Sequence, residues 1–137
     1  MPAELFVDTS AWYVLAMSSA PEHQKVAGAL RQRLERGARI VTTNLIVAET
    51  HALLLRRIGR KTALTFVREV SRAPNIVVTS SPEDEQAAVT EWLERFDDQL
   101  FSLTDAVSFA VMSARGIHEA LALDHHFSVA GFVVVPG

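Results

Sequence analysis

Four acidic residues, widely separated along the chain, carry side chains that could bind a metal ion together. Asp8 directly follows the apolar stretch LFV, and Asp124 directly follows the apolar stretch ALAL. Glu49 and Asp105 lie within segments whose apolar spacing is helical. Carboxylates that meet in one place repel each other, which raises the pKa of at least one of them unless a cation enters. Mg²⁺ or Mn²⁺, which suit carboxylate and water oxygens, would be the natural ion.

Three of these acids also have a purely local interpretation. Asp8 could cap the short helix that follows it. Asp105 could close a capping box that begins at Ser102, or Thr104 could itself be the cap, although Asp105 also lies on an inward-facing helical stripe. Asp124 could be an ordinary turn residue. The metal site is therefore a hypothesis about the acids as a set.

Glu49 shares one helical stripe with Leu45 and Leu53, each four residues away. This pattern predicts that Glu49 faces the protein interior. Burying an unpaired charge is costly, so an inward-facing Glu49 would need a partner such as a metal ion. The alternative is that the buried stripe is rotated and that Glu49 faces solvent.

The segments that position these acids alternate between strands and helices. Strands are predicted at residues 4–7, 38–43, 75–80, 119–123 and 131–135. A short helix is predicted after Thr9 and Ser10, and Asn44 is predicted to cap the helix that begins there. The longer helices are predicted at residues 21–37, 44–59, 60–72, 81–96 and 102–116.

The predicted strands are short and apolar on both faces, which is typical of a parallel sheet with helices on both sides. We therefore predict one α/β domain over residues 1–137, a three-layer α/β/α sandwich with a mostly parallel sheet of about five strands. In such sheets, ligands bind beyond the carboxyl ends of the strands. Asp8 and Asp124 are expected at two of these ends.

Composition and charge narrow the function classes. The 137 residues include no cysteine, which excludes a disulfide framework, a thiolate zinc site and a cysteine nucleophile and fits a cytoplasmic protein. No signal peptide or membrane span is expected, because no apolar run approaches the roughly 18 residues that a span needs. The net charge of −3 argues against nucleic-acid binding. If four of the 16 acidic residues bind a metal, however, 13 basic residues exceed the remaining acids.

Basic and histidine side chains near the acids are weaker signals. A basic cluster could contact phosphates or could be a solvated helix end, and it consists of Arg56, Arg57, Arg60 and Lys61. Three histidines lie close to the acids in sequence, namely His51, His125 and His126. Because adjacent histidines in a turn point in different directions, at most one of that pair is expected to reach the same ion.

Four motifs occur in order along nearly the whole chain: FVDTSAW, NLIVAET, SLTDAVSFAVM and ALALDHHFSVAGF. With these motifs the sequence resembles the PIN-domain nucleases, and among them the VapC-type toxins of bacterial toxin–antitoxin pairs. The resemblance implies an acidic site formed by Asp8, Glu49, Asp105 and Asp124. It also places Ser10 and Thr104 at the family's hydroxyl positions beside the metal.

The resemblance further implies a metal-dependent endoribonuclease. Asp8, Asp105 and Asp124 would hold Mg²⁺ or Mn²⁺, and Glu49 would complete the shell or orient the attacking water. The substrate would be RNA, with the basic cluster contacting its backbone. The expected partners are a small antitoxin protein and a second copy of the chain in a homodimer, with no membrane involved.

Two alternatives remain at the level of sequence. The chain could be a metal-dependent phosphohydrolase acting on small phosphoesters, although the first motif lacks a second aspartate two residues after Asp8. It could also be a non-catalytic RNA- or protein-binding module whose acidic pocket receives a partner's arginine. Cleavage of RNA distinguishes the nuclease from both.

Overall fold

Five parallel strands form one sheet in the computed structural model, which describes residues 3–137. The strands are β1 (Glu4–Val7), β2 (Arg39–Thr43), β3 (Ile76–Val78), β4 (Glu119–Leu121) and β5 (Val133–Val135). Their order across the sheet is β3-β2-β1-β4-β5. Every pairing is parallel, with Phe6 opposite Val41 on one side and Ala120 on the other. The predicted parallel sheet of about five strands is confirmed.

Seven α-helices surround this sheet within the described residues. They are α1 (Thr9–Ala16), α2 (His23–Glu35), α3 (Asn44–Arg57), α4 (Arg60–Val70), α5 (Pro82–Ala87), α6 (Leu103–Arg115) and α7 (His126–Val129). A π-helical segment, Ala88–Leu93, continues directly from α5. The sequence did not predict α7, which has only four residues. Among residues 3–137, no helix combines the length and apolarity needed to cross a bilayer.

Alternation along β1 explains the layered arrangement. Phe6 packs into an apolar cluster that includes Phe109 of α6, whereas Leu5 and Val7 pack into a second cluster with residues of α1 and α2. Successive side chains of a strand point to opposite faces, so one short apolar strand serves both layers. A third cluster joins α3 to α4 around Leu54 and Phe66.

The strand order places a crevice at the carboxyl ends of β1 and β4. The chain runs from β1 through β2 to β3 on one side and then returns to β4 on the other side of β1. Connections leave these two neighbouring strands in opposite directions, which is the arrangement that opens ligand sites in parallel α/β sheets. The loops after β1 and β4 therefore carry the candidate site.

The start of α3 differs from the sequence prediction. Thr43 caps the helix, because its hydroxyl accepts a hydrogen bond from the Ile46 N–H at 3.2 Å. Asn44, the predicted cap, lies inside the helix and its side-chain oxygen accepts from the Ser80 N–H at 3.0 Å. The prediction was wrong because threonine is also a favourable cap and the Asn44 side chain binds Ser80 instead.

Candidate active site

Asp8 lies at the carboxyl end of β1 and caps α1. Its backbone N–H donates to the Leu121 carbonyl at 3.0 Å, which extends the β1–β4 ladder by one residue. Its Oδ2 accepts hydrogen bonds from the Ser10 hydroxyl at 2.8 Å and from the Ser10 N–H at 3.3 Å. The residue is only 3% exposed. Capping is therefore real, but it does not explain why an acid is buried here.

The electrostatics of Asp8 bring two other acids into the same site. The pKa of the Asp8 carboxyl is raised to about 7, mainly by burial and in addition by the negative charges of Asp124 and Asp105, against the opposing hydrogen bonds from Ser10. A buried carboxylate loses hydration, and neighbouring negative charges penalise its ionised form. Asp8, Asp105 and Asp124 thus form one electrostatic cluster, here called the carboxylate cluster.

Asp105 belongs to this cluster and also to a capping box. The Ser102 hydroxyl accepts from the Asp105 N–H at 3.0 Å, and the Asp105 Oδ2 accepts from the Ser102 N–H at 3.2 Å. Ser102 is thus the cap of α6, and the alternative of a cap at Thr104 is wrong. Thr104 lies half-buried in the first helical turn, next to Asp105. The two interpretations of Asp105, as cap and as site residue, are compatible.

Asp124 lies in the turn between β4 and α7. Its Oδ1 accepts from the His126 N–H at 3.0 Å, as expected of a turn aspartate. The preceding residue, Leu123, donates its N–H to the Ser10 hydroxyl oxygen at 3.0 Å. Ser10 therefore fastens the turn that carries Asp124 to the start of α1, and the same hydroxyl donates to Asp8.

His126 joins the cluster more closely than the sequence indicated. Its Nδ1 lies 3.1 Å from the Asp105 Oδ2, and its ring meets Phe101 edge to face at 5.5 Å between centroids. His125, its neighbour, is exposed. The sequence signal for His126 was its place two residues after Asp124, but the direction of its side chain depends on α7.

Glu49 is exposed, so its predicted place on an inward-facing stripe is wrong. The fully buried residues of α3 are Ile46, Thr50 and Leu54, one position along from the predicted stripe. Leu53, one turn after Glu49, lines a cavity together with Ser10. Glu49 and Leu53 share a helix face, so this face of α3 borders the site rather than entering it.

The basic cluster is exposed and lies at the junction of α3 and α4. The Arg57 guanidinium lies 5.7 Å from the centre of the Tyr13 ring and borders the same cavity as Ser10. Lys61 borders a separate cavity against Trp12. Arg57 therefore lines one cavity together with Ser10, the residue that holds Asp8.

The carboxylate cluster fits a hard divalent cation in its donor chemistry. All of its side-chain ligand atoms are oxygens, and the charges of Asp124 and Asp105 add to burial in raising the pKa of Asp8. The side chains are not spaced as a ready ligand set, because within residues 3–137 no three histidine or acidic groups are placed to hold an ion.

Comparison with known proteins identifies the family. The PIN domain model matches residues 5–133. A protein of Mycobacterium tuberculosis, 23S rRNA-specific endonuclease VapC20, is 37% identical over 132 residues, which cover 96% of this chain and 97% of that protein. Its crystal structure, described as that of a sarcin-ricin loop cleaving toxin, covers 94% of this chain and 96% of its own at a TM-score of 0.82 and 36% identity.

A more distant structure shares the fold. VapBC2 of Rickettsia felis, crystallised with a DNA fragment from its promoter, matches at a TM-score of 0.71 with 10% identity and covers 96% of each chain. At that identity the likeness concerns the fold alone. The family model and the relative that is 37% identical are enough to assign the family. This chain belongs to the PIN-domain family and, within it, to the VapC-type proteins.

Proposed function

We propose that this chain is an Mg²⁺- or Mn²⁺-dependent endoribonuclease that hydrolyses RNA phosphodiesters as the toxin of a toxin–antitoxin pair. The observation that carries the proposal is the carboxylate cluster, in which the buried Asp8 after β1, with a pKa of about 7, lies near Asp124 after β4 and Asp105 at the start of α6. The 37% identical endonuclease supports the reaction class.

Asp8, Asp105 and Asp124 would hold the cation. When bound, it would supply Lewis acidity that offsets charge developing on the phosphate and makes a water molecule more acidic. Asp8 has to be ionised to bind a cation, so binding would release a proton from this carboxyl below about pH 7. Ser10 favours the ionised form of Asp8, because its hydroxyl and N–H both donate to Oδ2.

Each carboxylate of the cluster has one oxygen fixed and one oxygen free. Oδ2 of Asp8 is held by Ser10, Oδ2 of Asp105 contacts Ser102 and His126, and Oδ1 of Asp124 is held by the His126 N–H. No hydrogen bond from residues 3–137 reaches the second oxygen of any of the three. The fixed oxygens would orient the side chains and leave the free oxygens to bind a cation.

Glu49 and Thr104 are proposed in supporting roles. Glu49 is exposed on the same face of α3 as Leu53, and it would orient the attacking water rather than bind the ion from the interior. Thr104 adjoins Asp105 in the first turn of α6, where its hydroxyl would support the ligand set together with Ser10.

The proposed substrate is an exposed loop of structured RNA, with ribosomal RNA first among the candidates because the endonuclease relative is named for 23S rRNA. Proteins read RNA mainly through unpaired bases and shape. The basic cluster of Arg56, Arg57, Arg60 and Lys61 is exposed and would contact the RNA backbone. We further propose a cytoplasmic homodimer that a small antitoxin protein inhibits.

Incubation of the purified chain with ribosomal RNA tests the proposal. We expect endonucleolytic fragments in Mg²⁺ or Mn²⁺ and none in EDTA, with recovery when the metal is restored. Full cleavage in EDTA would overturn the metal-dependent mechanism. Hydrolysis of p-nitrophenyl phosphate without cleavage of RNA would instead indicate a phosphohydrolase, and RNA binding without any turnover would indicate a binding module.

A further inference from the structure

A cavity of about 540 Å³ lies beside the carboxylate cluster. Its walls come from α1, the loop between α1 and α2, α3 and the turn after β4. The residues that line it include Ser10, Tyr13, Leu53, Arg57 and Leu123. Nothing in the roles assigned so far to the acids requires this cavity.

The cavity adjoins the reacting centre through shared residues. Ser10 borders it and holds Asp8 by a hydrogen bond of 2.8 Å. Leu123 borders it, donates its N–H to the Ser10 hydroxyl, and directly precedes Asp124. A group in this cavity would therefore lie next to a phosphate held at the carboxylates.

The walls have the chemistry of a stacking site rather than of a phosphate site. The Arg57 guanidinium stands over the half-buried Tyr13 ring, 5.7 Å from its centre. Leu53 and Leu123 add apolar wall, and Leu123 is 40% exposed although it is a large apolar residue. Arg57 is matched in charge by Glu22 on the same cavity, which leaves little net attraction for a phosphate.

Flat aromatic groups with polar edges fit such walls. Proteins that bind unpaired RNA stack bases on aromatic rings and on arginine guanidinium planes. An arginine guanidinium over the face of a base adds a cation–π attraction. The position next to the carboxylates favours a base of the RNA being cut over any unrelated ligand.

We propose that this cavity binds an unpaired nucleobase of the RNA substrate, adjacent to the phosphodiester that is cut, by stacking on Tyr13 and Arg57. This inference rests on the proposed ribonuclease function. In this arrangement Arg57 recognises a base rather than the RNA backbone, and Tyr13 is a specificity-determining residue.

Binding measurements with abasic RNA test this subsite. The probe is an RNA hairpin with the 23S rRNA sarcin-ricin loop sequence, together with a series in which one loop nucleotide at a time lacks its base. Fluorescence anisotropy in an Asp8→Asn background measures affinity without cleavage. We expect one abasic position to weaken binding roughly 5- to 150-fold, the range that stacking of one base on an aromatic residue gives.

Variants of the cavity should reproduce that loss. Tyr13→Ala and Arg57→Ala should each weaken binding of the intact hairpin but change little for the hairpin that lacks the critical base, and Tyr13→Phe should retain most of the affinity. Arg56→Ala is the matched control, since it removes an equal charge from the same helix turn. It should weaken all hairpins by one common factor.

The competing outcomes are distinct. Equal losses for intact and abasic hairpins in the Tyr13 and Arg57 variants would overturn the subsite, as would no loss at all. A changed oligomeric state with unchanged RNA affinity would assign the cavity to a second copy of the chain and would also overturn it. If Tyr13→Ala fails to fold, exposed Arg57 carries the test. Base-dependent binding without any cleavage by the unaltered protein would support the subsite and reject the ribonuclease function.

Discussion

The acidic residues at the amino ends and at the carboxyl ends of β1 and β4 have opposite electrostatic surroundings. At the amino ends, Glu4 pairs with Arg115 at 2.8 Å and Glu119 pairs with Arg33 at 3.0 Å. At the carboxyl ends, Asp8 and Asp124 pair with no lysine or arginine of residues 3–137. The same two strands therefore hold one pair of neutralised acids and one pair without an internal cation.

The pKa values follow this difference. The hydrogen bonds from Arg33 lower the pKa of Glu119, whereas burial raises the pKa of Asp8 to about 7. An acid with a lowered pKa stabilises the folded protein at neutral pH, and an acid with a raised pKa destabilises it. Glu119 at the amino end thus stabilises the fold, while Asp8 at the carboxyl end lowers stability and remains available to an external cation.

Substitutions of the acids at the two ends of β1 should differ most strongly in their effect on RNA cleavage. Asp8→Asn should lower kcat/KM for RNA by roughly 10³-fold, comparable to the loss of one strong electrostatic group at a reacting centre. Glu4→Gln, at the other end of the same strand, should change kcat/KM little. Equal losses in the two variants, measured in Mn²⁺, would mean that position in the sheet does not determine the role of the acid.

Stability should change with opposite signs at the two ends. In EDTA at pH 8, Asp8→Asn should stabilise the protein by up to about 4 kcal/mol, the equivalent of the raised pKa. The unfolded Asp8 ionises near pH 3.8 and the folded Asp8 near 7, so stability is lost as pH rises through that window. The gain should therefore vanish near pH 4.

The matched variant at the amino end is Glu119→Gln. It should destabilise the protein at pH 8 by about 1 kcal/mol, since the pair with Arg33 is partly exposed. This stability is present above the unfolded pKa of 4.5 and is lost as pH falls through the lowered folded pKa. Thermal unfolding at pH 8 and pH 4 measures the change in stability of both variants. A loss of stability in Asp8→Asn at pH 8 would contradict the predicted difference between the two ends of the strands.

Divalent cations should stabilise only through the carboxyl end. At Mg²⁺ concentrations about 100 times the Kd, the unaltered protein should gain about 2.7 kcal/mol of stability at pH 8. Glu4→Gln should gain as much, Asp8→Asn should gain little, and the gain should shrink at pH 5 because Asp8 is protonated. If the gain in stability on adding Mg²⁺ depends neither on Asp8 nor on pH, the cation binds elsewhere.

Substitution of Ser10 should lower kcat/KM by less than substitution of Asp8. Its hydrogen bonds lower the pKa of Asp8, so Ser10→Ala should raise that pKa and shift the acid limb of the kcat/KM profile to higher pH. If the pKa rises by about one unit, we expect about a five-fold loss at pH 7, with recovery at pH 9. Ser71→Ala, which removes a hydroxyl bonded to a helix carbonyl, is the control and should leave the profile unchanged.

The sheet and two of the acids were predictable because their signals are local. Apolar runs that end in Asp8 and Asp124 indicated buried parallel strands, whose carboxyl ends meet at one edge. The prediction that Glu49 faces the interior was wrong for an equally physical reason. Apolar residues occur in threes at 45–47 and at 53–55, so α3 is apolar on several stripes and its period does not choose the buried one.

The contacts of the site itself depended on tertiary structure. His126 reaches Asp105 only because α7 turns its ring inward, and a helix of four residues has no readable period. Arg57 over Tyr13 joins two helices that are far apart in sequence. Sequence therefore predicted which acids lie at the strand ends, while the packing of α3 and α7 decided their neighbours.

The pKa of the Asp8 carboxyl tests the central claim most directly. NMR titration of this side chain in the metal-free protein should give a value of about 7, whereas in saturating Mg²⁺ the value should fall by several units. A pKa near 3.8 without the cation, or a raised pKa that Mg²⁺ leaves unchanged, would contradict the account of an acidic site that requires an external cation.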